Sequence, residues 1–502
     1  MKINLLASLF NVVASVVSSL LLLPIIQQYL GIEAYGYTAV ALSFINISTI
    51  VSVAITSMAA RYISIAMNKG NTQLAQKYFS TVLLSCGVVG LMVVFLFLLI
   101  ALNVDSAMNV EFAFKVQVQV LLVILSLSFF CTLIKTPFVA GLYFTNQLCF
   151  DYLFLALSQL ARVIFPLVLF QVITPYLWVP YIGALLIDVG AILFYLARYR
   201  VFLPNIQLSI FYASGWAFKQ LISSGIWVSL TKAGAVLMST ITLYFSNILF
   251  TSYDVGVYAS IVQLQNFMAV FTSAIVSLFI PSMYADYTKD EELFKHAYLN
   301  NQLMINIILS ACFVFVAAWS VSFLQLWTSE EMSTYVSVIL MLTIYPAFTY
   351  PFEYMNQLFI TKTYVKFPAI ATVVFGFLNV GLVFIFCVLL QMDLFGLALA
   401  QMLSVLLRNY LVYLPIAAHL LGSMSNCIIM LKQIFRSGIS SSCVFLFAGL
   451  TCWITQPANW LELIVAGGLS LAFCLLATIV VSPKSIREQL VSFLMFRRKQ
   501  EK

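Results

Sequence analysis

The residues best placed to do chemistry in this 502-residue chain are ionisable side chains set inside long apolar runs. Four cations sit within such runs, Lys135, Arg162, Lys232 and Arg408, and Arg61 stands at the edge of another. The acids are fewer: Asp188, Glu353, and Asp151 near the start of its run. A charge at the centre of a membrane helix costs about 2.5–3.5 kcal/mol on insertion scales, so each is a candidate for binding or coupling. The surplus is cationic and suits an anionic cargo, for which Arg offers a planar fork and Lys a point charge. Covalent chemistry has no comparable set. His296 and His419 lie far apart and form neither a zinc pattern nor a triad. The nine cysteines are scattered without a CxxC pair and read as small buried hydrophobes. No glycine-rich phosphate loop follows a strand, so an enzyme, a metal site or a cofactor is not expected. Energy must then come from an ion gradient or from downstream consumption of cargo.

The elements that position these charges follow from composition. Of the residues, 63% are hydrophobic and only 8% charged, too few to coat a water-facing surface, where about 25% is usual. The chain is therefore expected to be an all-α polytopic membrane protein. A span needs roughly 20 apolar residues, and fourteen segments qualify. The first six run over 3–30, 37–66, 79–103, 114–143, 147–172 and 176–199. The next six run over 219–250, 258–285, 299–325, 335–361, 366–391 and 393–421, and the last two over 438–456 and 460–481. The apolar run after Lys2 exceeds a signal-peptide core, so it reads as an uncleaved first helix.

Charge placement gives the orientation. One set of loops and ends holds Lys2, Arg61, Lys69, Lys77, Arg198, Arg200, Lys219, Lys289, Lys295, Lys362, Lys366, Lys432 and Arg436. The tail adds Lys484, Arg487, Arg497, Arg498, Lys499 and Lys502. The alternate loops carry Lys115 beside Asp105 and Glu111, and otherwise acids: Glu33, Asp254, Glu330, Glu331, Asp393 and Glu462. Lys/Arg bias marks the cytoplasmic side, so both termini are expected there. The net charge of +7 is thus an orientation signal and does not point to nucleic acid.

A shift of 220 residues lays GIEAYGYTA (31–39) on TSYDVGVYA (251–259), matching Gly36 with Gly256, Ala39 with Ala259, and further on Asn46 with Asn266, Ser57 with Ser277 and Tyr78 with Tyr298. The shift spans six segments, an even number, so it describes a parallel repeat about an axis along the membrane normal. The expected organisation is an N-lobe at 1–205, a C-lobe at 206–422, two appended helices at 423–482 and a basic tail at 483–502. Gly36 and Gly256 read as turn glycines, and Pro137 and Pro351 as bends.

Three features now carry a family resemblance: LGIEAYGYTAVALSF across segments 1 and 2, RYISIAMNKGNTQLAQKYF (61–79) leading into segment 3, and Pro-Phe at 137–138 and again at 351–352. With them the chain resembles the oligosaccharide (Wzx-type) flippases of the multidrug/oligosaccharidyl-lipid/polysaccharide exporter superfamily. The resemblance implies a V-shaped, two-lobed fold with a central cavity and alternating access. It implies an undecaprenyl-diphosphate-linked oligosaccharide as cargo, for O-antigen, capsule or exopolysaccharide synthesis, and residence in a bacterial cytoplasmic membrane. Polymerase and chain-length proteins of that pathway are its implied partners, and a monomer should suffice.

Under this reading Arg61, Lys135, Arg162, Lys232 and Arg408 line a cationic lumen for the diphosphate, and Asp188 and Glu353 serve as charge partners or coupling groups. The alternatives stay open. Arg162 and Asp188 lie near mid-membrane on consecutive segments and either pair or do not. Arg61 is an interfacial anchor or a ligand at the cavity mouth, Lys135 snorkels or faces the lumen, and Asp151 reads as interfacial. An ion-coupled drug/cation antiporter of the same superfamily is the competing transporter, and it calls for an acid-rich cavity. A membrane glycosyltransferase or polymerase calls for a large extracytoplasmic loop, which the chain lacks. A pure scaffold leaves the buried cations unexplained.

Overall fold

In the computed structural model, which describes residues 2–287, 290–481 and 487, the chain forms fourteen helices long and apolar enough to span a membrane. They are α1 (Ile3–Leu30), α2 (Ile32–Asn68), α3 (Thr72–Leu102), α4 (Phe112–Phe144), α5 (Cys149–Leu169), α6 (Val179–Phe202), α7 (Gly215–Leu249), α8 (Ser252–Tyr287), α9 (Glu291–Thr328), α10 (Ser333–Thr361), α11 (Lys366–Leu389), α12 (Leu394–Leu420), α13 (Ser425–Thr455) and α14 (Trp460–Thr478). No strand occurs among the described residues. The fold is thus the expected all-α polytopic bundle. Lys289, Lys484, Arg497, Arg498, Lys499 and Lys502, together with the side chain of Lys2, lie outside the described residues.

The helices run longer than their apolar cores. At 1.5 Å per residue the 31-residue helix of α13 greatly exceeds a hydrocarbon core of about 30 Å. It therefore begins a dozen residues before its expected start, and Lys432 and Arg436 lie on the helix where a loop was expected. The same extension carries Lys77 and Arg200 on helical turns, near Arg61 and Arg198, at the basic end.

Contacts divide the chain into two compact units. The first holds Met1–Ala259 and Thr372–Val380, the second Ser260–Ala371 and Gly381–Lys502. In the first unit α7 lies along α2. Gly225 permits the closest approach, since a Cβ there would stand 1.9 Å from the carbonyl oxygen of Ala54. Around that crossing the Ser229 hydroxyl donates to the carbonyl of Ile50 at 2.5 Å, Tyr62 and Ser224 share a hydroxyl bond at 2.7 Å, and Tyr78 donates to Gln220 at 2.5 Å. Small residues at such crossings let backbones meet, which replaces the hydrophobic drive that lipid cannot supply.

Gly36 and Gly256 correct the expectation of turn glycines. Both lie inside helices, α2 and α8, and they face each other: a Cβ on Gly36 would stand 2.8 Å from the amide nitrogen of Gly256. Residues equated by the 220-residue shift thus touch. Tyr37 donates to Ser252 at 2.7 Å next to this contact.

The second unit is built around a broken helix. α10 runs as Val336–Ile344, a short turn Pro346–Thr349, a 3₁₀ turn Tyr350–Phe352 and a final helix Glu353–Thr361. Pro346 and Pro351 cannot donate to the carbonyls four residues earlier. Neighbouring helices supply donors instead. Gln265 donates to the carbonyl of Leu342 at 2.6 Å and Ser310 to that of Ala347 at 2.8 Å. Asn409 reaches Thr349, Tyr410 reaches Phe348 and Gln302 reaches Pro351, at 3.2, 3.2 and 3.1 Å. Pro137 behaves differently, because the helix Lys115–Phe144 of α4 passes through it unbroken.

Two alanine substitutions should separate packing glycines from idle ones. Gly225→Ala is expected to lower the thermal stability of the purified protein, because a helix must shift. Gly190→Ala, whose Cβ would meet nothing within 4 Å, is expected to raise it by about 0.5–1 kcal/mol through lower chain entropy. A melting series in one detergent measures both, and equal behaviour of the two would contradict the close crossing.

Candidate intramembrane charge sites

In the first unit α6 packs on both α4 and α5, and the three helices bring Lys135, Asp151, Arg162 and Asp188 together. The polar residues recur every seventh position, two helical turns apart and on one face: Ser128 and Lys135 on α4, Asp151 and Ser158 on α5, Tyr181, Asp188 and Tyr195 on α6. Nearest the basic end, Lys135 and Asp151 form an ion pair with Nζ–Oδ1 3.6 Å, their side chains 8% and 15% exposed. Tyr195 donates to the same carboxylate oxygen at 3.1 Å. Asp151, expected at the interface, is thus a partly buried partner of Lys135.

In the middle of the stack Asp188 is 8% exposed and accepts from the Ser128 hydroxyl. Ser158 lies beside it. Lys135 and Arg162 are both near enough to act on its carboxylate through Coulombic attraction. Arg162 makes no ion pair among the described residues; its guanidinium lies over the Tyr181 ring, 5.5 Å from the centroid. The Arg162 Nε and the Tyr181 hydroxyl are buried and have no hydrogen-bond partner. The Arg162–Asp188 question thus resolves into long-range attraction without a direct pair.

Lys232 and Arg61 lie apart from this stack. Arg61 is exposed on α2. Lys232 is half-buried on α7 and has no carboxylate within ion-pair distance among the described residues. It precedes by one turn a π-helical stretch, Val236–Thr240, that interrupts α7. Asn379 of α11 donates to the Leu237 carbonyl in that stretch at 2.9 Å, and Gly376 and Gly234 let the two helices meet there.

Arg408 repeats the arrangement in the second unit. It directly precedes the π-helical turn Asn409–Tyr413 of α12. Its Nε and one terminal nitrogen donate to the side-chain oxygen of Asn409 at 3.1 and 2.9 Å, and the guanidinium lies 4.7 Å from the Tyr413 ring centroid. Glu353 begins the last piece of α10, accepts from Asn356 at 2.9 Å and feels Arg408 electrostatically. π-Turns inside helices concentrate at functional positions, and here one follows each of these two cations.

Sequence reasoning missed Ser128, Tyr181 and Tyr195 around Asp188, although the seven-residue spacing on α6 is a visible signal. It also missed Asn409, whose amide serves both Arg408 and the broken helix.

The Lys135–Asp151 pair is open to a double-mutant cycle. Asp151→Ala leaves a buried ammonium and is expected to cost about 3–5 kcal/mol, the usual penalty for orphaning one member of a buried pair. Lys135→Met with Asp151→Leu should recover most of it. A single substitution with no effect on melting would show that the pair is not formed in solution.

No family model matches the chain. Over 481 residues it is 26% identical to an uncharacterized membrane protein, EpsK, of Bacillus subtilis strain 168, covering 94% of this chain and 93% of that one. The lipid II flippase MurJ in an inward closed conformation superposes with TM-score 0.71 at 15% identity, covering 97% of this chain and all of the other. The MATE multidrug transporter DinF-BH gives TM-score 0.61 at 14% identity over 82% and 95%. An inward-facing MATE transporter of the MOP superfamily gives 0.58 at 13% over 81% and 98%. The chain is thus a multi-pass membrane protein with the helical fold that a lipid II flippase shares with the MATE transporters.

Proposed function

We propose that this protein is a flippase that carries an undecaprenyl-diphosphate-linked oligosaccharide repeat unit from the cytoplasmic to the outer leaflet of a bacterial cytoplasmic membrane. It would serve O-antigen, capsule or exopolysaccharide synthesis and work as a monomer, by alternating access of two six-helix lobes around a cationic lumen. The observation that carries this reading is the placement of Lys232 and Arg408. Each is an intramembrane cation set just before a π-helical turn, and Lys232 has no acid in ion-pair reach among the described residues. A cation held in the membrane without a countercharge lowers the cost of taking an anionic head group out of water. The fold likeness to a protein named as a lipid II flippase agrees with a lipid-linked cargo. Arg162, Lys135 and Arg61 belong to the same proposed lumen, Lys135 with its charge shared by Asp151.

A drug/cation antiporter is the competing reading. It draws on the MATE fold likeness and on the half-buried or buried carboxylates Glu353 and Asp188, which would then bind a coupling ion or a cationic drug.

The test is deletion of the gene in its native host, following undecaprenyl-diphosphate-linked glycan and surface polymer together. Complementation uses wild type, Lys232→Ala, Arg408→Ala and Lys232→Arg. Glycan stranded on the cytoplasmic leaflet, rescued by wild type and largely by Lys232→Arg but reduced at least tenfold for the alanine variants, is the expected result. Full rescue by both alanine variants removes the cationic-lumen assignment. Normal surface polymer with altered sensitivity to cationic drugs replaces the flippase by the antiporter.

A further inference from the structure

The first unit contains an apolar groove of about 490 Å³ that takes no part in the charge sites. Three elements line it. α2 contributes Val51, Ala54 and Ile55, α3 contributes the stripe Thr81, Leu84, Ser85, Val88 and Val89, and the start of α7 contributes Phe218 and Ile222. The volume falls in the range of small-molecule sites, about 300–1,000 Å³.

The direction in which the groove opens identifies its medium. Leu84 and Val88 are 40% and 49% exposed, and the same face of α3 continues through Leu91, Met92 and Phe95, all more exposed still. An uninterrupted exposed apolar stripe along a spanning helix faces hydrocarbon, since it has neither a protein partner nor a reason to meet water. The groove is a dent in that lipid-facing surface.

Its rim at the basic end is polar and cationic. Ser214 donates its amide to the Thr81 hydroxyl at 3.0 Å, and Tyr78 donates to Gln220 at 2.5 Å, so α3 and the start of α7 are fastened together there. Lys77 and Lys219, the neighbours of Tyr78 and Gln220, are exposed beside that fastening. The first turn of α7, whose cap residue Ser214 makes no side-chain cap bond, points its N–H groups toward the rim end, where they favour an anion. Above the rim, the segment between α6 and α7 exposes Phe211 and Tyr212, followed by Trp216 on α7's first turn, at 92%, 48% and 58%. Aromatic residues at that level are characteristic of the lipid–water interface.

We infer that this groove is a binding site for one anionic phospholipid of the cytoplasmic leaflet, an acyl chain lying between α2, α3 and α7 and the phosphate at Lys77, Lys219 and the start of α7. The apolar walls recognise the chain, and the two lysines select a headgroup with net negative charge over a zwitterionic one. None of the charged residues of the candidate sites lines the groove.

The test is native mass spectrometry of the full-length purified protein titrated with phosphatidylglycerol and, in parallel, phosphatidylcholine. Wild type should retain one phosphatidylglycerol at least tenfold more tightly than phosphatidylcholine. Val88→Phe and Leu84→Trp, which fill the groove from two positions, should each weaken that adduct at least tenfold, and Gly190→Ala, outside the groove, should leave it unchanged. Lys77→Gln with Lys219→Gln should abolish the preference between headgroups while keeping a weak adduct. Size-exclusion profile and melting temperature identify any variant that fails to fold, and the second filling variant then decides. Retention of the adduct by a folded, groove-filled variant overturns the proposal. So does recovery of a prenyl diphosphate from the groove in place of a phospholipid, which would assign it to cargo.

Discussion

Every peptide group freed from a helix inside hydrocarbon must find another partner, because an unsatisfied one costs several kcal/mol and no water is at hand. That constraint organises the second unit. Pro346 and Pro351 break α10, and the exposed carbonyls recruit Gln265, Gln302, Ser310, Asn409 and Tyr410 from three neighbouring helices. These polar residues would otherwise look like a binding site. Most are committed to backbone. Asn409 links the constraint to an intramembrane cation: its amide nitrogen serves the Thr349 carbonyl, which leaves its oxygen to hold Arg408. The break in α10 thereby sets the orientation of a cation on α12. In the first unit the π-helical stretch of α7 makes the same demand, and Asn379 answers it one turn beyond Lys232.

The cations meet the membrane in three ways. Lys135 is neutralised by a carboxylate. Arg162 and Arg408 lie over tyrosine rings, whose faces attract a cation by their quadrupole, worth about 2 kcal/mol or more when desolvated. Lys232 has neither device among the described residues and remains half-buried. The order matters for the proposed chemistry. A cation whose charge is already matched adds little to anion binding, and one held against a ring keeps its charge while losing mobility. Lys232 keeps both, so it contributes most to an anionic cargo if one binds near α7.

Much of this is legible in the sequence. Fourteen apolar runs and the alternation of basic and acidic loops need only composition and order, and the 220-residue shift needs only self-comparison. What fails is everything that depends on which surfaces meet. Gly36 and Gly256 stand out as a pair but read as turn residues, because a glycine between two tyrosines or two valines has the same local signature in a turn and at a helix crossing. Asp151 reads as interfacial because its distance from a helix end is visible in the sequence and the approach of Lys135, on the other arm of a hairpin, is not. Pro351 draws notice without Pro346, so a bend is expected where the helix breaks. The seven-residue recurrence of Tyr181, Asp188 and Tyr195 is readable from the sequence alone, yet a search for charges passes over tyrosines.

The two Pro-Phe dipeptides meet opposite fates in the fold. Pro137 and Pro351 both precede phenylalanine on corresponding helices, yet the first lies in a continuous helix and the second in a broken one. Two residues before Pro137 stands Lys135, fixed by Asp151; two residues before Pro351 stands Thr349, whose carbonyl takes the Asn409 amide. Interhelical hydrogen bonds in membranes average about 0.6 kcal/mol each, so the contacts around α10 are individually cheap to exchange. The buried ion pair on α4 is lost only as a whole, at about 3–5 kcal/mol when one partner goes. A helix held by many weak, separable bonds can change its register stepwise, whereas one held by a single strong pair cannot. By that argument the broken helix of the second unit is the element suited to rearrange, carrying Arg408 with it through Asn409, while the Lys135–Asp151 pair resists such change within its own helices.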